Sequence, residues 1–310
     1  MSTPIIIDCD PGHDDVFAIW LAAANPAIDL RGITTVGGNG YIEHTTHNAL
    51  VALTVAGITD VPVAEGSGTP LAGKLTPADW IHGENALGGP ELPEPTVSLD
   101  PRDALTLMRD IITAADEPIT LVPTGPLTNI AMFIQQYPEL LPKVKQIVWM
   151  GGSTGRGNVN AYVEFNAWCD PEAIDVVVQS GIDFTMVGLN ISHQALITKE
   201  VRSRIAAIGN RTAQFGVELL EFFCSTYDDF EGMPDGPLHD PITVALLIDP
   251  AVATTVHTRI DVELTGTETR GATCVDLIDA LKRPKNATVA MDLDVDRFWA
   301  LIADAVTRLA

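Results

Sequence analysis

Basic residues are scarce in this chain: its 310 residues include 18 Lys and Arg against 41 Asp and Glu, a formal charge of −23. That balance argues against a nucleic-acid polymer as the main partner, because phosphate binding needs basic stripes and this surface repels it. It argues equally against an anionic membrane surface. Long apolar runs are missing as well. The greasiest stretches, such as Val244 to Ile248, are far short of the roughly 20 residues a membrane-spanning helix needs. The opening MSTPIIIDCD has no basic n-region and no long apolar h-region, so no secretory signal is read and a cytoplasmic protein is expected. Cysteine is rare: Cys9, Cys169, Cys224 and Cys274 are scattered, with no C-x-x-C spacing. Reduced, packed thiols are expected, and neither a zinc site nor a disulfide frame.

What the chain does have is apolar content, 46% of it, enough for a large core and too much for a disordered chain. There is no repeat, low-complexity tract or linker, so one domain over 1–310 is expected. Short β-rich runs alternate with helical patterns. Ile5-Ile6-Ile7-Asp8, Ile33 to Val36, Ile119 to Val122, Ile147 to Met150 and Phe184 to Val187 read as strands. Val16 to Ala24 and Asn129 to Gln136 read as helices. Asp100-Pro101 is expected to open a third, with Leu105, Met108, Ile111 and Ile112 on one face, and Asp170-Pro171 a fourth that Gly181 stops. Residues 259–265, 271–276 and 287–292 look like shorter strands, and Phe298, Leu301, Ile302, Ala305 and Leu309 stripe a last helix. The fold expected is α/β: an open, mostly parallel sheet with helices on both faces and a small antiparallel extension. Segments 64–95 and 228–241, rich in Pro and Gly, read as long loops of the kind that often act as lids.

In open parallel sheets ligands bind at the carboxyl ends of the strands. Here those ends read Asp8 to Asp15, Gly37-Gly38-Asn39, Pro123-Thr124-Gly125, Met150-Gly151-Gly152 and Gly188-Leu189-Asn190. Five such turns on one rim describe a pocket. The first holds four carboxylates, Asp8, Asp10, Asp14 and Asp15. One can cap the following helix and another can face water, but four after so apolar a strand repel one another unless a cation joins them. Oxygen ligands on loops suit Ca²⁺ or Mg²⁺, and the lack of clustered His or Cys argues against zinc or copper.

Other residues carry two readings each. Asp-Pro occurs five times, at Asp10, Asp100, Asp170, Asp240 and Asp249, and is usually just a helix cap; a cap and a ligand can nevertheless be the same residue. His239, beside Asp240, is either a surface residue or a proton donor. Asn158, Glu164 and Asn166 lie close in sequence, with Glu164 and Asn166 on one side if the chain is extended, and such a set suits the hydroxyls of a sugar. Trp80-Ile81-His82-Gly83 either borders a base or caps a core.

In order along the chain, these residues resemble a known family. Asp8-Cys9-Asp10-Pro11-Gly12-His13-Asp14-Asp15 closely resembles the N-terminal signature of the nucleoside hydrolases, the inosine–uridine-preferring ribohydrolase family. The likeness continues nearly end to end through Thr34 to Asn39, Val122 to Asn129, Met150-Gly151-Gly152, Val163 to Asn166 and His239-Asp240-Pro241. Ala86 departs from it, standing where members often carry glycine. The resemblance implies calcium-dependent hydrolysis of ribonucleosides, of inosine/uridine type with a pyrimidine preference among the options, to ribose and free base. It implies a homodimer or homotetramer. Calcium would be held by Asp10, Asp15, the carbonyl of Thr124, and Asp240. Asp14, Asn39, Asn158, Glu164 and Asn166 match ribose-holding positions, and Met150 matches the residue beneath the sugar. His239 matches the residue that helps the base depart, and His82 and Tyr227 lie near the base. Asp8 receives no direct role.

The chemistry is coherent: calcium acidifies a water and orients hydroxyls, Asp10 takes the water's proton, and Glu164 with the other carboxylates faces the developing oxocarbenium ion. Protonated His239, or a relay with Tyr227, neutralises the base. The base preference rests with segments 76–90 and 224–238. Two rivals stand beside this reading. A haloacid-dehalogenase-like phosphohydrolase would use Asp8-x-Asp10 with Mg²⁺, though Gly12 occupies the place where that pattern wants Thr or Val. The other is a non-catalytic nucleoside-binding protein.

Overall fold

Ile5, Ile6 and Ile7 are apolar without alternation, the mark of a strand covered on both faces. In the computed structural model, which describes residues 2–309, they lie in the interior strand β1 (Thr3–Cys9), buried from Pro4 onward. Ile5 and Ile7 join one core cluster and Ile6 the other, as side chains alternating across a sheet must. The other strands are β2 (Ile28–Thr35), β3 (Val63–Glu65), β4 (Ile119–Pro123), β5 (Val144–Met150), β6 (Phe184–Val187), β7 (Ala253–Thr258), β8 (Ile260–Val262), β9 (Thr273–Val275) and β10 (Ala287–Leu293). The main sheet runs β3-β2-β1-β4-β5-β6-β10-β7, parallel except where β7 pairs with β10.

Twelve α-helices are assigned among the described residues: α1 (His13–Ala24), α2 (Ile42–Ala56), α3 (Asp79–His82), α4 (Ala104–Ala114), α5 (Thr128–Gln136), α6 (Phe165–Cys169), α7 (Pro171–Gln179), α8 (Leu189–Ser192), α9 (Lys199–Ala206), α10 (Arg211–Glu231), α11 (Pro241–Ile248) and α12 (Val295–Arg308). Helices α1, α2, α10, α11 and α12 pack on the face of Ile5 and Ile7; α4, α5 and α7 pack on the face of Ile6. No described helix is long and apolar enough to cross a membrane.

The strand order reverses direction at β1, whose neighbours β2 and β4 lead to opposite edges of the sheet. Chains leaving β1 and β4 therefore diverge to opposite faces and leave a crevice between them, the place where such sheets bind ligands. Asp8 is in register with Thr34 on one side and Pro123 on the other, so three carboxyl ends finish together.

Several expectations need correction. Asp100 does not cap α4. Arg102 captures it at 2.7 Å, and Asp103 caps instead, accepting from the Thr106 N–H at 2.8 Å. Segment 287–292 lies within the main sheet as β10, so the antiparallel elements are the separate pair β8–β9 and the unforeseen edge strand β7. The loop expected at 228–241 begins later, because α10 runs to Glu231. Cys274 is exposed, while the other three thiols are buried; all four are free. Asp170 caps α7 as expected, and Gly181 follows it with a φ of +80°.

Candidate active site

The site grows from the end of β1. Asp10-Pro11-Gly12 turns the chain into α1, whose first turn carries Asp14 and Asp15. Glycine is required around this turn because backbone comes close to side chains. A Cβ on Gly38 would lie 2.0 Å from Asp10 Oδ2, and one on Gly125 would lie 2.4 Å from Asp10 Oδ1. The loops after β2 and β4 thus close on the Asp10 carboxylate from two sides. Its Oδ2 accepts the Asn39 backbone N–H at 2.7 Å, while Oδ1 is buried with no hydrogen-bond partner. Asp15 is better held, accepting from Thr124 Oγ1 at 2.7 Å, the Gly12 N–H at 3.0 Å and Asn39 Nδ2 at 3.3 Å. Asp240 sits in the N-cap position of α11, yet its side chain makes no capping bond. It turns instead to Asp14 and Asp15, and one oxygen from each of the three lies within 4.8 Å of the others.

Burial pushes all four acids upward, Asp14 to about 7. Repulsion adds to it: Asp15 raises Asp10 and Asp14, and Asp14, Asp15 and Asp10 raise Asp240. A buried, mutually repelling set of oxygens with one left unpartnered fits a hard cation. The Thr124 carbonyl accepts from Asn166 Nδ2 at 2.8 Å and keeps a second lone pair. Asp8 stands apart from this set. Its Oδ1 accepts from Thr34 Oγ1 and Asn129 Nδ2, tying β1 to the end of β2 and to the first turn of α5, and burial lifts it to about 7.

A cavity opens above these acids. Of the residues expected at the site, Asp14, Asn39, His82, Thr124, Met150, Asn158, Glu164, Asn166, Tyr227, His239 and Asp240 line it. Asp10 and Asp15 are bonded to its floor through Asn39 and Thr124. Glu164 and Asn166 do not share one side of an extended strand. Glu164 is the N-cap of α6, accepting from the Asn166, Ala167 and Gly152 N–H groups, and Asn166 is in that helix's first turn. Burial raises Glu164 to about 7 against those three bonds. Asn158 accepts from the Phe165 N–H at 2.9 Å. The turn at Gly188 to Asn190 does not line the cavity. It packs behind, Leu189 N–H donating to the Gly152 carbonyl, and leads into α8, whose Ser192 reaches His239.

The far wall is aromatic. Tyr227 Oη lies 2.7 Å from His239 Nε2. His82 lies with its Nδ1 3.0 Å from His13 Nδ1, and His13 Nε2 is 2.8 Å from the Gly88 carbonyl. The carbonyl can only accept, so His13 donates from Nε2; burial keeps both rings neutral, so His82 donates to His13 and its own Nε2 is left a bare acceptor. A Cβ on Gly12 would meet this His82 ring at 2.4 Å, which explains the glycine there. Burial also depresses His239 well below the usual range. At the mouth, Phe230 (58% exposed) stacks on Trp80 at 6.0 Å, and Arg156 pairs with Glu231. Sequence reasoning left out Phe223, Phe230, Glu231, Arg156 and Ser192. Phe223, Tyr227, Phe230 and Glu231 follow a helical period, a signal hidden by reading a loop from residue 228.

Comparison with known proteins agrees with this geometry. Residues 5–300 match the family described as inosine-uridine preferring nucleoside hydrolase. The pyrimidine-specific ribonucleoside hydrolase RihA of Photobacterium profundum is 46% identical over 309 residues, 99% of this chain and 100% of its own. The protein of the same name from Escherichia coli (strain SMS-3-5 / SECEC) is 45% identical over 305 residues, 98% of each chain. Among solved structures, a purine-preferring ribonucleoside hydrolase from Gardnerella vaginalis superposes with a TM-score of 0.91 at 31% identity, covering 98% of both chains. The phosphohydrolase and non-catalytic readings give way to these matches. A switch-point crevice floored by carboxylates and a family match over nearly the whole chain lead to one conclusion: this chain belongs to the inosine-uridine preferring nucleoside hydrolase family, enzymes that hydrolyse the N-glycosidic bond of ribonucleosides.

Proposed function

We propose that the enzyme is a calcium-dependent hydrolase of pyrimidine ribonucleosides. The observation that carries this reading is the opposition, across one cavity, of the acidic floor with its unpartnered Asp10 oxygen and the Tyr227–His239 hydrogen bond. The pyrimidine base is taken from the relatives at 45–46% identity, both named pyrimidine-specific.

Asp10, Asp15, Asp240 and the Thr124 carbonyl would hold the calcium ion. When bound, it supplies fixed charge that acidifies a water and orients the ribose diol. Asp10 Oδ1 takes the attacking water's proton; burial and the neighbouring acids raise this carboxyl, the direction a general base needs. Asp14, Asn39, Asn158 and Asn166 hold the ribose hydroxyls over Met150. Glu164, fixed by three N–H groups, faces the positive charge that grows on the sugar as the bond breaks, so its attraction is greatest at the transition state. His82 and Tyr227 border the base. His239 is neutral in its buried place, which favours the relay through Tyr227 over direct donation from an imidazolium.

The chain is read as a single domain, because one sheet serves both core clusters. A cytoplasmic homodimer or homotetramer is the expected form, with exposed Ile278 and Leu281 as apolar surface for assembly. The test is kcat/KM across uridine, cytidine, inosine, adenosine and guanosine, before and after chelation. Uridine and cytidine should exceed the purines by about 100-fold, and activity should vanish with chelator and return with calcium. Dominant purine hydrolysis, or activity indifferent to chelation, would overturn the reading.

A further inference from the structure

His239 makes a hydrogen bond from each ring nitrogen, and the direction of the two decides what Tyr227 can do. Nε2 faces Tyr227 Oη at 2.7 Å, and Nδ1 faces Ser192 Oγ at 2.8 Å. Imidazole and both hydroxyls can each give or accept, so the chain of bonds can run either way.

The Ser192 end settles it. Ser192 is fully buried at the last residue of α8, and among the described residues its hydroxyl is bonded to His239 alone. Other helical hydroxyls behave differently: those of Ser225, Thr226 and Thr307 donate to a backbone carbonyl three or four residues back. The Ser192 proton has one acceptor within reach, His239 Nδ1. If Nδ1 carried hydrogen, that N–H would claim the serine oxygen and the hydroxyl proton would be stranded in the interior, which folded proteins avoid. A doubly protonated ring meets the same objection.

We propose that Ser192 is a positioning residue: it donates to Nδ1 and so fixes His239 as the Nε2–H tautomer. Nε2–H then donates to Tyr227, whose own phenolic proton is left free to point into the cavity. In the opposite tautomer Tyr227 would commit that proton to His239 and offer the base only lone pairs. The use of the proton rests on the function proposed above; the tautomer does not. As the ribose C–N bond breaks, its electron pair passes to the base and the base takes the Tyr227 proton. The Nε2–H bond holds the phenolate until solvent returns a proton. Burial disfavours a free phenolate at Tyr227, and nearby carboxylates such as Glu231 add to it, so transfer accompanies bond breaking rather than preceding it.

The test is long-range ¹H–¹⁵N NMR of the calcium-supplemented protein labelled with ¹⁵N-histidine, the His239 signals being assigned from His239→Gln. The wild type and Ser192→Thr should show His239 protonated at Nε2, and Ser192→Ala a mixture or the Nδ1–H form. In Ser192→Ala, kcat for uridine should fall about 10-fold with KM within about twofold, p-nitrophenyl riboside should be unaffected, and Ser192→Thr should recover the loss. An Nδ1–H tautomer in the wild type overturns the inference, as does an equal loss on both substrates. If Ser192→Ala does not fold, the wild-type and Ser192→Thr spectra still decide. A wild type that hydrolyses no nucleoside defeats the proposed function and leaves the spectra to judge the tautomer.

Discussion

At the carboxyl ends of β1 and β4 the cavity is floored by carboxylates held between strand ends, whereas its far wall is made of rings carried by α3, α10 and the turn before α11. The floor is buried throughout, and Gly38 and Gly125 bring backbone against Asp10 from two sides. The wall ends in a half-open mouth, where Phe230 lies on Trp80 and one ion pair, Arg156–Glu231, joins the loop after β5 to the last turn of α10. The difference teaches a division of work. On the function proposed, charge chemistry on water and ribose needs fixed oxygens, which the strand ends and the helix starts beside them supply. On the same reading, recognition of the base falls to side chains that no strand carries.

The largest blow to that division comes from the floor. Asp10→Asn should lower kcat by about 10³-fold or more on every substrate and weaken calcium binding, measured by calorimetry. The same change removes one of the repelling charges, so the chelated variant should melt higher than chelated wild type. A loss of activity with a lower melting temperature would point to misfolding instead.

Removing the cation sharpens the contrast through pH. Asp14 and Glu164 ordinarily titrate at 3.8 and 4.5, and burial raises each to about 7 in the fold. The folded protein therefore binds more protons than the unfolded chain between those values, and stability falls as pH rises through that window. In chelator the melting temperature should decline by several degrees as pH rises from about 4 through about 7, and calcium should reverse the decline. A flat profile in chelator would mean that the floor is relieved in some other way.

The smallest effect belongs to the turn after α3. Ala86 is buried with a φ of +61°, in the left-handed region that costs a residue with a Cβ about 1 kcal/mol. Ala86→Gly should raise unfolding free energy by no more than about 1 kcal/mol in urea titration, with kcat little changed, because the floor is untouched.

The same contrast governs how far sequence alone reaches. Asp10, Asp14 and Asp15 lie within a few residues of each other after an apolar strand, so both their clustering and their place at a strand end are visible in one short window. The wall draws on Trp80, Arg156, Ser192, Tyr227, Phe230 and His239, which only the fold brings together. Glu164 and Asn166 read as neighbours in sequence, but their geometry comes from a helix start that an extended reading does not contain. The cap at α4 is ambiguous in sequence because Asp100 and Asp103 are both suited to it, and only the competition of Arg102 for Asp100 separates them. Edge strand β7 has four consecutive exposed residues, so it lacks the alternation that marks a strand in sequence.

The most direct test is the ratio of kcat/KM for uridine to that for p-nitrophenyl riboside, whose leaving group needs no proton, measured in Asp10→Asn and His239→Ala. The floor serves both substrates and the wall serves the departing base, so the ratio should stay near the wild-type value in Asp10→Asn and fall by about 100-fold in His239→Ala. An equal loss on both substrates in His239→Ala would contradict the division between the two ends.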